Sequence, residues 1–74
     1  MDEFELDARG LLCPLPVLKA GKRLAAMQSG AVLRLLASDP MAVIDVPNFC
    51  REQGHAILSS EAAGDHHIFR IERK

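Results

Sequence analysis

The sequence predicts an α/β fold: a two-layer α/β sandwich in the order βαβαββ, with a four-stranded mixed sheet and two helices on one face. Three observations carry this expectation. Short segments with alternating or continuous apolar residues read as strands near both ends and in the middle. Two longer segments between them repeat apolar residues at three-and-four spacing, the period of a helix with one buried face. The last two strand-like runs are separated by Gly64-Asp65, a hairpin signal.

Taken in order, FELDA sets Phe4, Leu6 and Ala8 against Glu3, Glu5 and Asp7, the alternation of a half-buried strand. From Pro14 to about Gln28 the period changes. Pro14, Val17, Leu18, Gly21, Leu24, Ala25 and Gln28 share one helical face, and Lys19, Lys22, Arg23 and Ala26 share the other. Gly30 follows shortly after as a stop. AVLRLLA, Ala31–Ala37, is a short apolar run suited to a central strand. In SDP, Ser38 or Asp39 can cap a helix that opens at Pro40, and Ala42, Val46, Phe49, Cys50 and Gln53 continue it to Gly54. Pro47 interrupts that run. It either kinks one helix or opens a second, shorter one, and the second reading is preferred because Asp45 can cap it. HAILSSEAA and HHIFRIER then form the terminal hairpin. A strand-helix-strand start implies a right-handed crossover and a parallel pair, so the sheet is mixed.

Seventy-four residues make one domain, and a small one, which buries only about 60% of the surface of its unfolded chain. An apolar content of 49% argues for a true core all the same. Three aromatics, all Phe, leave little for stacking nucleobases, and a net charge of −1 gives no general affinity for nucleic acid or acidic membranes. No run is long enough to span a membrane, and the acidic start MDEFELDARG does not read as a signal peptide. Two cysteines are too few for a disulfide framework. A cytoplasmic monomer with reduced thiols is the expectation.

The chemistry gathers at RGLLCPLP. With a helix opening at Pro14, Cys13 is its N-cap, and Pro14 and Pro16 fall in the first turn, where amide hydrogens lack intrahelical partners. Leu15 N–H then remains free to point at the sulfur. The helix dipole adds partial positive charge, and Arg9 is close in sequence. Both favour thiolate over thiol and predict a lowered Cys13 pKa. The deleted N–H groups make the turn a poor phosphate cradle. An isolated Cys in an apolar stretch is ordinarily a small buried hydrophobe, but this one heads a helix.

The stretch LDARGLLCPLP resembles the Cys-Pro-X-Pro signature of the TusA/SirA-like sulfur carrier family, and SDPMAVIDVPNFC resembles the Asp-Pro … Asp-Ile-Pro … Phe-Cys segment of its tRNA 2-thiouridine members. The resemblance spans nearly the whole chain and implies one carrier domain over residues 1–74 with the same βαβαββ fold. It implies that Cys13 is the catalytic nucleophile and carries sulfur as a persulfide, with Gly10, Pro14, Leu15, Pro16 and Arg9 as supporting motif residues. The donor would be a cysteine desulfurase or a rhodanese-type protein, and a downstream relay or acceptor protein would take the sulfur. No cofactor beyond the transient persulfide is implied. Leu15 stands where the tRNA-thiolation members often carry an acidic residue, and Leu12 where a basic one is common, so the partners stay open.

Elsewhere, Lys19, Lys22 and Arg23 form a basic stripe, either a solvated helix face or a docking surface for an acidic partner, and Asp45 is a further docking candidate. Cys50 shares the stripe of Val46 and Phe49 and reads as core, at the far end of its helix from Cys13. His55, His66 and His67 lack metal-ligand spacing, and adjacent strand residues face opposite ways, so no metal is expected. The reading that competes with a carrier is a non-catalytic interaction or redox-regulatory domain, with Cys13 structural or redox-sensing.

Overall fold

The structure, a computed structural model, describes residues 3–74. Its elements run β1 (Glu3–Ala8), α1 (Leu15–Ala25), β2 (Val32–Ala37), α2 (Ala42–Gln53), β3 (Ala56–Ala63) and β4 (His66–Glu72). The sheet order is β1-β2-β4-β3. β1 and β2 are parallel and the other neighbours antiparallel, so the mixed four-stranded sheet is as expected.

Strand alternation decides which residues meet the helices. Phe4, Leu6 and Ala8 pair with Leu33, Leu35 and Ala37, and Leu33 and Leu35 pair with Ile71 and Phe69. Ala8, Leu33, Leu35, Phe69 and Ile71 are wholly buried. From the helices, Ala20, Leu24, Ala42, Val46 and Cys50 complete the core. The opposite face of the sheet carries charge. Arg34 and Arg70 stand directly across from each other, an unfavourable pairing that β1 offsets: Glu5 takes Arg34 and Glu3 takes Arg70.

Three local expectations are corrected. Pro47 neither ends nor begins a helix but lies inside the single helix α2, so Asp45 is a first-turn helical residue and not a cap. Pro47 removes one backbone donor, and burial of Ala42, Val46 and Cys50 on one side of α2 holds the helix together across it. The helix opens at Ala42 and not at Pro40, with Met41 at its cap position and no side-chain cap bond. Asp39 instead orders the turn before it: its Oδ1 accepts Met41 N–H at 3.1 Å and its carbonyl accepts Ala42 N–H at 3.0 Å. The buried face of α1 is Pro16, Ala20 and Leu24, with Met27 just beyond its end, so Leu18 stays 60% exposed and Leu15 45% exposed. The reason is close packing. Gly21 faces Phe49 of α2, and a Cβ there would meet the ring at 3.3 Å, so the two helices approach closely at Gly21 and the neighbouring Leu18 is left outside.

The third correction is the end of α1, which stops at Ala25 and not near Gln28. Ala26 and Met27 donate to Arg23 and Leu24 carbonyls in tight turns, and Arg73 Nε donates to the Leu24 carbonyl at 2.8 Å. Orphan acceptors at the helix end are thereby satisfied in part by the residue that follows β4. Gly30, at φ +88°, then turns the chain into β2.

Candidate functional site

The candidate site lies where the β1–α1 loop meets the start of α2. Its geometry follows from helix entry. Pro14, not Cys13, occupies the cap position of α1, and the Cys13–Pro14 peptide bond is cis. Leu15 N–H donates to the Leu12 carbonyl at 2.8 Å and is therefore not aimed at the sulfur. Pro16 is buried in the first turn, whereas Cys13, Pro14 and Leu15 are exposed.

What holds Cys13 comes from the other crossover. Gly10 N–H donates to Ser38 Oγ at 2.8 Å, and Cys13 N–H donates to Asp39 Oδ2 at 2.5 Å. Asp39 thus joins the loop before α1 to the loop before α2 with one carboxylate, an oxygen for each. Gly10 sits at φ +85°, a conformation that favours glycine and lets the loop turn away from β1.

Between the helices a groove of about 340 Å³ is lined by Cys13, Pro14, Val17, Asp45, Asn48, Phe49 and Glu52. Asp45 is half-buried and stands beside the Cys13 thiol. The electrostatic expectation is reversed here. The Cys13 thiol is pushed above its ordinary value, first by the hydrogen bond that Asp45 accepts from the protonated thiol, then by partial desolvation and by the charges of Asp45 and Asp39. Arg9 does not oppose this. Its guanidinium is committed to Asp7, with Nε–Oδ1 at 2.9 Å and Nη2–Oδ2 at 2.8 Å.

The basic stripe is placed elsewhere. Lys19, Lys22 and Arg23 line a second hollow with Leu6 and Ala26, on the β1 side of α1, and Arg23 lies over the Phe4 ring at 5.5 Å. Of the residues singled out for docking, only Asp45 shares the groove of Cys13. Sequence reasoning missed Val17, Asn48, Phe49 and Glu52 as groove residues, and it missed the bonds from Ser38 and Asp39. The run Ser38-Asp39-Pro40 did carry a signal, read chiefly as a helix cap and not as a tie to the loop of Cys13.

Cys50 is 2% exposed, and burial pushes its thiol up to about 11. Both cysteines are free. His66 pairs with Asp65, and His67 with Ser60, and among the described residues no three His, Cys, Asp or Glu side chains gather as metal ligands. No helix among them is long and apolar enough to cross a membrane.

Comparison with known proteins agrees over nearly all the chain. The family described as Sulfurtransferase TusA matches residues 4–73. The sulfur carrier protein TusA of Allochromatium vinosum is 45% identical over 69 residues, covering 93% of this chain and 91% of that protein. TusA of Pseudomonas entomophila is 36% identical over 69 residues, covering 93% and 86%. In fold, the crystal structure of a SirA-like protein from Desulfitobacterium hafniense superposes with a TM-score of 0.81, at 24% identity, over 93% of this chain and 95% of the other.

Proposed function

The chain belongs to the TusA family of sulfur carriers, and on that premise we propose that Cys13 takes up a sulfur atom as a persulfide and hands it to an acceptor protein. The observation that carries this reading is the contrast between the two thiols: Cys13 is exposed at the rim of the groove and Cys50 is sealed in the core. Only the first can reach another protein's sulfur.

The chemistry is thiol exchange. Cys13 thiolate attacks the outer sulfur of a donor persulfide, and the donor's S–S bond breaks as the Cys13–S bond forms. The next thiol in the relay attacks the outer sulfur on Cys13 in turn. The chain thus acts as a sulfurtransferase, with a cysteine desulfurase or a rhodanese-type protein as donor. Delivery toward tRNA thiolation, molybdenum cofactor assembly or other sulfur metabolism is decided by the acceptor. A cytoplasmic setting, which keeps both thiols reduced, suits this role.

The test is intact-protein mass spectrometry after incubation with a cysteine desulfurase and cysteine. One added sulfur is expected on the native chain and on Cys50→Ser, and none on Cys13→Ser. No uptake from the desulfurase or from a rhodanese-type donor, with Cys13 inert to alkylation, would replace the carrier by the redox-regulatory reading.

A further inference from the structure

The groove beside Cys13 sets carboxylates without ion pairs next to a thiol, whereas Glu61 and Glu72, also without ion pairs among the described residues, lie on strands away from it. Glu3, Glu5, Asp7 and Asp65 each hold an arginine or a histidine. Among the described residues Asp45 and Glu52 form no ion pair, and both line the groove that contains Cys13. They lie seven positions apart on α2, about 10 Å along the helix. Between them and α1, Pro14, Val17 and Phe49 supply an apolar bed. An apolar bed flanked by carboxylates complements a side chain with an aliphatic stem and a cationic head. It repels a phosphate backbone. Around it, Leu12 and Leu15 flank Cys13 in the chain and Met41 and Ile44 precede Asp45, all four at least 45% exposed, as contact area for a protein surface.

We propose that this groove docks a Lys or Arg side chain carried by the protein that exchanges sulfur with Cys13, with Asp45 and Glu52 as its counter-charges. The inference rests on the carrier reading of Cys13. Its chemical consequence is a thiol activated by its partner. In the free chain the Asp45 carboxylate lines the groove with Cys13 and favours its protonated thiol, with the Asp39 carboxylate bound to the Cys13 backbone and Glu52 also in the groove. An arriving cation offsets these charges, and the thiol proton leaves to solvent. The thiolate then attacks the partner's outer persulfide sulfur, which moves with its hydrogen to Cys13. The partner's inner sulfur departs as a thiolate, so no outside oxidant or reductant takes part.

The experiment measures thiol–disulfide exchange at Cys13 in the Cys50→Ser background with two probes, cystamine, which is cationic, and dithiodipropionate, which is anionic. The ratio of the two rates is compared between that protein, its Glu52→Gln variant and its Asp45→Asn, Glu52→Gln variant. The ratio is expected to fall by about tenfold in the double variant at low salt, as expected for losing close counter-charges at a surface, and to shrink in 1 M KCl. Glu52 is exposed, so the single variant keeps the fold, and a fall in its ratio supports the groove even where the double variant unfolds. An unchanged ratio in Glu52→Gln and in any folded double variant overturns the proposal. Sulfur loading from the desulfurase is read on the same proteins. Intact loading with an unchanged ratio removes the groove and leaves the carrier, whereas absent loading with a cation preference removes the carrier and the partner named here.

Discussion

The outer side of β1 and the groove beside Cys13 are both rich in carboxylates, and the two regions use them in opposite ways. On β1, Glu3, Glu5 and Asp7 each meet an arginine: Arg70 of β4, Arg34 of the adjacent β2, and Arg9 just after β1 itself. In the groove, Asp45 faces a thiol and Glu52 faces solvent. Paired charges there quiet a surface. Carboxylates here favour the protonated form of a reactive group. One small domain can thus contain inert and receptive acidic surfaces, separated by the thickness of a sheet and a helix layer.

The largest effect expected from any single substitution belongs to neither region but to the core that joins them. Phe69 is wholly buried at the centre of the sheet, and Phe69→Ala should cost about 3–5 kcal/mol. For a chain this short that is most of the stability to be expected, so urea unfolding should show a greatly lowered midpoint, with groove and sheet lost together. Separate transitions would break the premise that they share one cooperative unit.

Next comes the thiol itself. Asp45→Asn should move the midpoint of iodoacetamide alkylation of Cys13 to lower pH, because it removes both the acceptor that favours the protonated thiol and a nearby negative charge. Alkylation at neutral pH should then be faster. A midpoint that stays in place would deny the groove its distinguishing property.

Smaller effects are expected on the sheet. A double-mutant cycle on Glu5 and Arg34, measured by urea unfolding, should return about 0.2–1 kcal/mol of coupling, fading in high salt, as for exposed cross-strand pairs. Asp7, held at about 2 by its bonds to Arg9, gives the pH signature of a paired carboxylate. Its folded value lies below the ordinary 3.8, so its contribution is present above that value and is lost as pH falls through about 2. Asp7→Asn should flatten stability against pH in that window by a small amount. An identical acid profile for the native chain would place Asp7 with the unpaired carboxylates and blur the distinction between the regions.

The strands and the order of elements were legible in the sequence because alternation and periodicity are local properties. FELDA and AVLRLLA each state their buried face within a few residues. The face of α1 was harder to read. Gly21 and Leu24 do face in, yet Leu18, Pro14 and Ala25 of the same predicted face are exposed while Pro16 and Ala20 are buried, since the approach of Gly21 to Phe49 fixes how α1 is turned. The electrostatics of Cys13 were misread for a different reason. The features considered, a helix start and Arg9, lie close by in the chain, while the carboxylates that decide the outcome stand 26 and 32 positions away at Asp39 and Asp45. Pro47 was misjudged because a local breaker was weighed without the buried side of α2 that keeps the helix in place around it.

The placement of Cys13 also sets rules of traffic. The molecule measures 29 × 21 × 17 Å and exposes 4391 Å², while a standard protein interface covers about 800 Å² on each side, close to a fifth of that surface. On the proposed carrier role, a donor and an acceptor that both touch the Cys13 sulfur at this one corner would compete for the same patch and take turns there. Throughput is then governed by how quickly the first visitor departs. A carrier built this way gains nothing from gripping either partner tightly, and a partner that lingers becomes an inhibitor of the relay it serves.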